Sequence, residues 1–276
     1  MGPIAALLPV VLNCIPLYLF GRAKVTSNDV AWLSAGSAAS MEEETVYHRY
    51  LDRHRRHRLF GGFFGAVFAA LVGIRLYQNV TIGIIADGLP LADIWFCALA
   101  GIMVGALSAE QFRLNEPQSD TVAASLAERG IEPNQALILV ARGLAVSALL
   151  AGAAIAGLSS SFDALAIAIL GVLLATVAER TRQAVSTRRR PLLSPSAKTV
   201  DIRIRTFASD SVTQLQVSAA FLVTAWVTSK LPDTEIAAVD FFQFAGVMVF
   251  LIASVVTLRK ARPYPPRDWT EQQVAA

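Results

Sequence analysis

Long apolar runs separated by polar and charged segments dominate the chain. The clearest pair lies near the middle, at residues 136–158 and 163–179, with only a few polar residues between the two runs. An apolar run of about 20 residues has the length of a helix that crosses a hydrocarbon core of about 30 Å. In lipid only a helix or a closed barrel satisfies its own backbone, and these runs lack the alternation of barrel strands. The pattern therefore predicts a helical transmembrane hairpin.

Further apolar runs extend this interpretation to the whole chain. They predict an all-α, polytopic bundle of about seven spans, at residues 4–20, 59–77, 92–107, 136–158, 163–179, 212–231 and 236–258. Basic segments at residues 21–58 and 180–211 connect spans, and a polar tail follows at residues 259–276. We expect a polar helix to lead directly into the second span and an interfacial amphipathic helix to precede the sixth.

The positions of the basic residues predict the orientation. Of the 24 Lys and Arg residues, all but Arg75, Arg142 and Lys230 lie after spans one, three, five and seven. Such an excess on one side marks the cytoplasmic face of a bacterial inner membrane protein. We therefore expect a multi-pass protein of the plasma membrane, with its N-terminus outside and its C-terminus in the cytoplasm.

The composition supports this class of protein and argues against an enzyme. The chain is 54% hydrophobic and 16% charged, whereas soluble domains carry about 25% charged residues. Cys14 and Cys97 lie in separate apolar runs, and all three histidines lie among arginines that would repel a cation. The signatures of common hydrolases and nucleotide-binding proteins are missing. We expect no metal, no cofactor, no nucleic-acid partner and no catalytic activity.

Few polar residues lie inside the predicted spans. Arg142 is the charged residue placed well inside one, about seven residues, or about 10 Å, from the inner end of its helix. It either extends to the headgroups and pairs with an acid such as Glu132 or Glu110, or it lines a polar cavity or pore. The other candidates for such a lining are Asn13, Gln214 and Gln243.

Two further sets of residues predict contacts rather than chemistry. Glycines four residues apart allow helices to approach closely, either within the chain or between two copies of it. They are Gly61, Gly65, Gly101 and Gly105. Arginines beside span ends contact anionic lipid or an acidic partner protein. These arginines are Arg55, Arg56, Arg188, Arg189 and Arg190.

Alanine-rich spans, the sequence AASLAERG at residues 123–130 and the sequence RRRP at residues 188–191 give the chain a familiar pattern. In these features it resembles uncharacterised polytopic membrane proteins of high-GC actinobacteria, some of which are encoded near transporter components. The small number of charged residues inside the spans and the lack of a recognised catalytic motif favour a non-catalytic accessory or permease-like subunit of a transport assembly. The alternative is a stand-alone transporter or channel for a small or lipidic solute. Its partners would be the lipid bilayer and a second membrane protein or another copy of itself.

Overall fold

The computed structural model describes residues 24–35, 40–76, 91–114, 134–159, 162–187, 195–232 and 236–266. These ranges contain seven α-helices and no strand, so the expected all-helical class is confirmed. The helices are α1 (Ser27–Leu33), α2 (Met41–Leu76), α3 (Leu91–Leu114), α4 (Gln135–Ser159), α5 (Asp163–Thr187), α6 (Pro195–Thr228) and α7 (Ala237–Lys260).

Four of these helices are long and apolar enough to cross a membrane. They are α3, α4, α5 and α7, with apolar stretches at Ile94–Gln111, Gln135–Leu158, Asp163–Thr187 and Ala237–Lys260. The expected count of seven spans is not confirmed. The first predicted span lies outside the described residues, and the second and sixth fall on α2 and α6, which are not among the four.

Two helices are longer than a span requires. α2 has 36 residues and α6 has 34, so each is about 50 Å long, against about 30 Å of hydrocarbon. α2 joins the expected polar helix and the following apolar run without a break. α6 likewise incorporates the segment for which a separate interfacial helix was expected, so each helix carries a polar half and an apolar half.

The chain divides into two compact units. One consists of Met1–Ala109 together with Pro263–Ala276, and the other is Glu110–Arg262. The first contains α1, α2 and most of α3, and the second contains α4 to α7. Each is described here by itself.

A close helix crossing organises the first unit. Gly61 and Gly65 of α2 face Gly101 and Gly105 of α3, and a Cβ atom added at any of the four would collide with a backbone carbonyl oxygen of the facing helix. Only glycine permits backbones to approach this closely. The glycines predicted to pack helices therefore meet one another within the chain.

The second unit is built around α6, which packs against α4, α5 and α7. Contacts along the helices show that α5 and α7 run antiparallel to α6. On α5, Gly171 lies against Val223 and Glu179 bonds to Gln216. On α7, Gln243 bonds to the carbonyl oxygen of Thr228 and Ser254 bonds to Ser218. α4 runs parallel to α6, because Ala141 packs against Val217 near one end and Ile155 packs near Val227 towards the other.

In this unit apolar side chains cover the exterior and many polar side chains are buried. Only 17% to 28% of the residues in the apolar stretches of α4, α5 and α7 are buried. Large apolar side chains such as Leu150, Leu173 and Phe242 are exposed. The central α6 instead buries serine, threonine and glutamine side chains. An apolar exterior around a hydrogen-bonded interior is the arrangement expected of helices in lipid, and it indicates a membrane protein.

We expect Gly101→Ala to destabilise the first unit, because its methyl group would meet the carbonyl oxygen of Gly61. Forcing a methyl group into such a contact typically costs about 1–3 kcal/mol. Gly157→Ala is the matched control, since a Cβ atom at Gly157 of α4 meets no atom within 4 Å. Thermal unfolding in detergent measures both, and equal melting temperatures for Gly101→Ala and the wild type would contradict the crossing.

Candidate functional site

Arg142 meets an acid on the neighbouring helix. Its Nη2 atom donates to Oε1 of Glu179 on α5 at 2.8 Å. The arginine side chain is 54% exposed and that of the glutamate 17%. The pair thus joins the first half of α4 to the last third of α5, with the acid half-buried and the base at the surface.

Glu179 is also the acceptor for three other side chains. Gln183, on its own helix, donates to Oε1 at 3.5 Å. Arg182, one turn further along α5, donates to the same oxygen, Oε1. Gln216 of α6 donates from Nε2 to Oε2 at 3.2 Å. One carboxylate therefore holds donors from three helices. We call Arg142, Glu179, Arg182 and Gln216 the Glu179 cluster.

The Glu179 cluster carries a net positive charge, because two guanidinium groups share one carboxylate. Gln216 is only 2% exposed, and both its Oε1 atom and Nε of Arg182 are buried without a hydrogen-bond partner among the described residues. A group of this kind can fix helices in place and can attract an anion.

Of the described residues predicted to line a cavity, Gln243 lies at the far end of α6 from the Glu179 cluster and Gln214 lies on another face of α6 from Gln216. Gln243 of α7 donates to the carbonyl oxygens of Thr228 and Leu231, so it closes the end of α6. Thr228 lies 12 residues, or about 18 Å, along α6 from Gln216. Gln214 is about 200° around the helix from Gln216. Asn13 lies outside the described residues.

Glu179 is not the partner that was expected for Arg142, which was Glu132 or Glu110. Arg142 precedes the end of α4 at Ser159 by 17 residues, and Glu179 follows the start of α5 at Asp163 by 16. In an antiparallel hairpin, residues equally far from the turn lie opposite each other. The hairpin register could therefore have predicted the pairing of Arg142 with Glu179. The bond from Gln216 to Glu179 could not be predicted in this way, because it depends on how α6 packs against α5.

A second polar cluster lies in the first unit, around Arg55 of α2. Its Nη1 and Nη2 atoms contact Asp29 of α1 at 3.0 Å and 2.7 Å. Nε and Nη2 donate to the carbonyl oxygen of Pro263 at 3.1 Å and 2.9 Å, and Nη1 donates to that of Lys24. The guanidinium carbon lies 3.8 Å from the ring centre of Tyr264. We call these five residues the Arg55 tie.

The Arg55 tie corrects the role expected for this arginine. Its side chain is 1% exposed, so it does not lie at a surface that contacts lipid or a partner. Arg56, one residue on, is 62% exposed and pairs with Asp52 of its own helix. It remains available for such contacts. The other three arginines of that prediction, Arg188, Arg189 and Arg190, lie outside the described residues.

The electrostatics of the tie favour its charged form. Burial by itself would raise the pKa of Asp29, but hydrogen bonds from Arg55 and from Thr26, together with the charge of Arg55, outweigh it and lower that pKa. Thr26 also caps α1, because its side chain and that of Asp29 each bond to the backbone of the other. The same carboxylate thus starts α1 and holds α2.

The histidines of α2 take part in packing. Nδ1 of His57 lies 2.9 Å from the hydroxyl oxygen of Ser108 on α3, within hydrogen-bond distance. Burial and the charge of Arg53 lower the pKa of His57. His54 is buried, with its ring centre 4.5 Å from that of Tyr50. Within the described ranges, no three His, Cys, Asp or Glu residues are grouped so as to hold a metal ion.

We expect Asp29→Asn to destabilise the protein by about 3–5 kcal/mol at neutral pH, since it leaves the buried Arg55 without a counter-charge. Because the pKa of Asp29 is lowered on folding, the pair contributes fully above about pH 4 and its contribution is lost as the pH falls further. Asp52→Asn, which removes the exposed partner of Arg56, should change stability by no more than about 0.5 kcal/mol. Unfolding measured against pH tests this, and equal effects of the two variants would contradict it.

Glu179→Ala and Arg142→Ala should differ strongly although they remove the same ion pair. Loss of Glu179 leaves Arg182 and Gln216 without their acceptor, which typically costs about 3–5 kcal/mol. Loss of the exposed Arg142 should cost no more than about 1 kcal/mol. Denaturant unfolding in detergent compares the two, and similar values would show that Glu179 does not hold the cluster together.

Comparison with known proteins adds no relative. No protein-family model matches the chain. No curated protein and no solved structure matches it either. The similarity to actinobacterial membrane proteins thus stays an expectation from sequence features, and function has to be inferred from the residues of this chain.

Proposed function

We propose that the chain is a non-catalytic accessory or permease-like subunit of a transport assembly in the cytoplasmic membrane. The observation that carries this proposal is the use of the polar side chains inside the second unit. Ser218 and Ser254 bond to each other and to each other's carbonyl oxygens at 2.7–3.1 Å. Gln216 bonds to Glu179, and Gln243 bonds to the end of α6.

These bonds occupy hydroxyl and amide N–H groups that a solute would otherwise contact. A passage through a bundle needs polar groups that exchange their partners with a solute, whereas here they bond helix to helix. Side chains engaged in this way stabilise a fixed arrangement of α4 to α7. That favours a scaffolding or partner-supporting role over conduction by this chain alone.

The exterior offers extensive surface for a second membrane protein. Phe241, Phe242 and Phe244 are exposed at the start of α7, and Phe60 and Phe64 are exposed on α2. Aromatic side chains provide large contact areas at protein interfaces. Lipid covers such faces equally well, so they permit a partner without identifying one.

The Arg55 tie supports the proposed orientation. It bonds the start of α1 and the polar half of α2 to Pro263 and Tyr264, which follow the last helix. Segments that bond directly lie on the same side of a membrane. An even number of spans between them follows, in agreement with a C-terminus on the cytoplasmic side that the basic residues predict.

The decisive experiment is purification of the tagged full-length protein from its native membrane in mild detergent, followed by mass spectrometry of co-purifying proteins. A stoichiometric membrane protein or nucleotide-binding ATPase is expected, because the proposal makes this chain part of an assembly. An unrelated polytopic protein carrying the same tag is the control for carry-over.

A different result would overturn the proposal. If the protein purifies alone and transports a solute in proteoliposomes, it is a stand-alone transporter. Loss of all transport in Arg142→Ala with assembly unchanged would point the same way. A subunit should instead keep its partner in that variant, since Arg142 is exposed and lies outside the buried interior.

A further inference from the structure

The exposed guanidinium of Arg142 lies on an apolar face. Leu139, Val146 and Leu150, at neighbouring positions on the same face of α4, are all exposed. Arg142 is 54% exposed between them. On the outside of a membrane helix such a face contacts lipid, and a charge there is costly unless it meets a counter-charge.

Glu179 supplies only part of that counter-charge. Its Oε1 atom is shared between Arg142 and the more buried Arg182, and its Oε2 atom accepts from Gln216. Of the five N–H donors of a guanidinium, Arg142 uses one for Glu179, the acceptor that it contacts among the described residues. A surplus of one positive charge remains at the exposed side chain.

The depth of Arg142 limits what can meet this charge. It lies seven residues from the start of α4 at Gln135, or about 10 Å along the helix. An arginine of this length reaches the headgroup region from such a depth. Phosphate oxygens accept two parallel N–H bonds from a guanidinium, which makes arginine well suited to a phosphate.

We infer that Arg142 binds the phosphate of an anionic phospholipid, with Glu179 holding the guanidinium in position. The site selects a lipid of net negative charge, because the Glu179 cluster carries one uncompensated positive charge. A zwitterionic lipid brings its own cation to the same place and binds more weakly. The inference needs only that α4 lies in a membrane, so it holds or fails independently of the proposed subunit role.

Native mass spectrometry of the full-length protein in detergent tests this with phosphatidylglycerol, phosphatidylcholine and inorganic phosphate as probes. We expect preferential retention of one phosphatidylglycerol over phosphatidylcholine. Arg142→Gln should weaken that retention about ten-fold, as expected for the loss of charge-assisted hydrogen bonds to a phosphate. Arg180→Gln is the matched control, because Arg180 is exposed on α5 next to Glu179, while the side chains that bond to Glu179 among the described residues are those of Arg142, Arg182, Gln183 and Gln216. It should change retention by less than about two-fold.

Several results would overturn the inference. Unchanged retention in Arg142→Gln removes Arg142 from the site, and an equal loss in Arg180→Gln shows diffuse surface charge instead of a site. If millimolar inorganic phosphate displaces the lipid and binds by itself, the ligand is a free phosphate. Should Arg142→Gln fail to purify, Arg142→Lys replaces it. Lysine keeps the charge without the paired donors, so weaker retention supports the inference and wild-type retention contradicts it.

Discussion

The absence of water from a hydrocarbon core is the constraint on which the second unit depends. Every polar group placed there needs a partner from the protein. α6 meets this need at several positions, because threonine hydroxyls return to carbonyl oxygens of the preceding turn. Thr213, Thr224 and Thr228 do so at 2.8–2.9 Å. Ser218 instead reaches across to Ser254 of α7. A helix with these side chains is stable in lipid only when apolar helices surround it, and α4, α5 and α7 do.

The same constraint explains the Glu179 cluster. One carboxylate with both oxygens occupied permits two arginines to lie near the apolar part of a bundle. The burial is graded: the side chain of Arg182 is 11% exposed and that of Arg142 is 54% exposed. Arg182 and Gln216 therefore contribute mainly to the packing of α5 against α6. Arg142 bonds to Glu179 in this packed core but its side chain faces outward. It can therefore bind a ligand at the surface while contributing little to the stability of the fold.

Particular residues show how far the sequence could predict the structure. Apolar length alone identified α3, α4, α5 and α7, and the spacing of Gly61, Gly65, Gly101 and Gly105 identified the helices that cross. The polar side chains that α6 buries against its neighbours lower its hydropathy. Its apolar length alone therefore does not identify it as one of the four membrane-spanning candidates. The hairpin register would have indicated Glu179 as the partner of Arg142, although Glu132 or Glu110 was expected. The partner of Arg55 had no such signal, because Pro263 is 208 residues away in the chain and only folding brings it near.

Arg55 and Arg56 also show why a basic segment is not a uniform surface. Adjacent residues on a helix point about 100° apart, so one lies buried against Asp29 and the other is exposed to solvent. Counting both as headgroup contacts overstates the charge available to lipid. The excess of basic residues still favours a cytoplasmic location for this segment, since the pairing acids contribute little to the positive-inside effect. The Arg55 tie adds a second constraint on orientation. The start of α1, the polar half of α2 and the residues after α7 can lie on opposite sides of a membrane only if the bonds of Arg55 to Asp29 and Pro263 are broken. Charge and tertiary structure thus favour the same side for both segments.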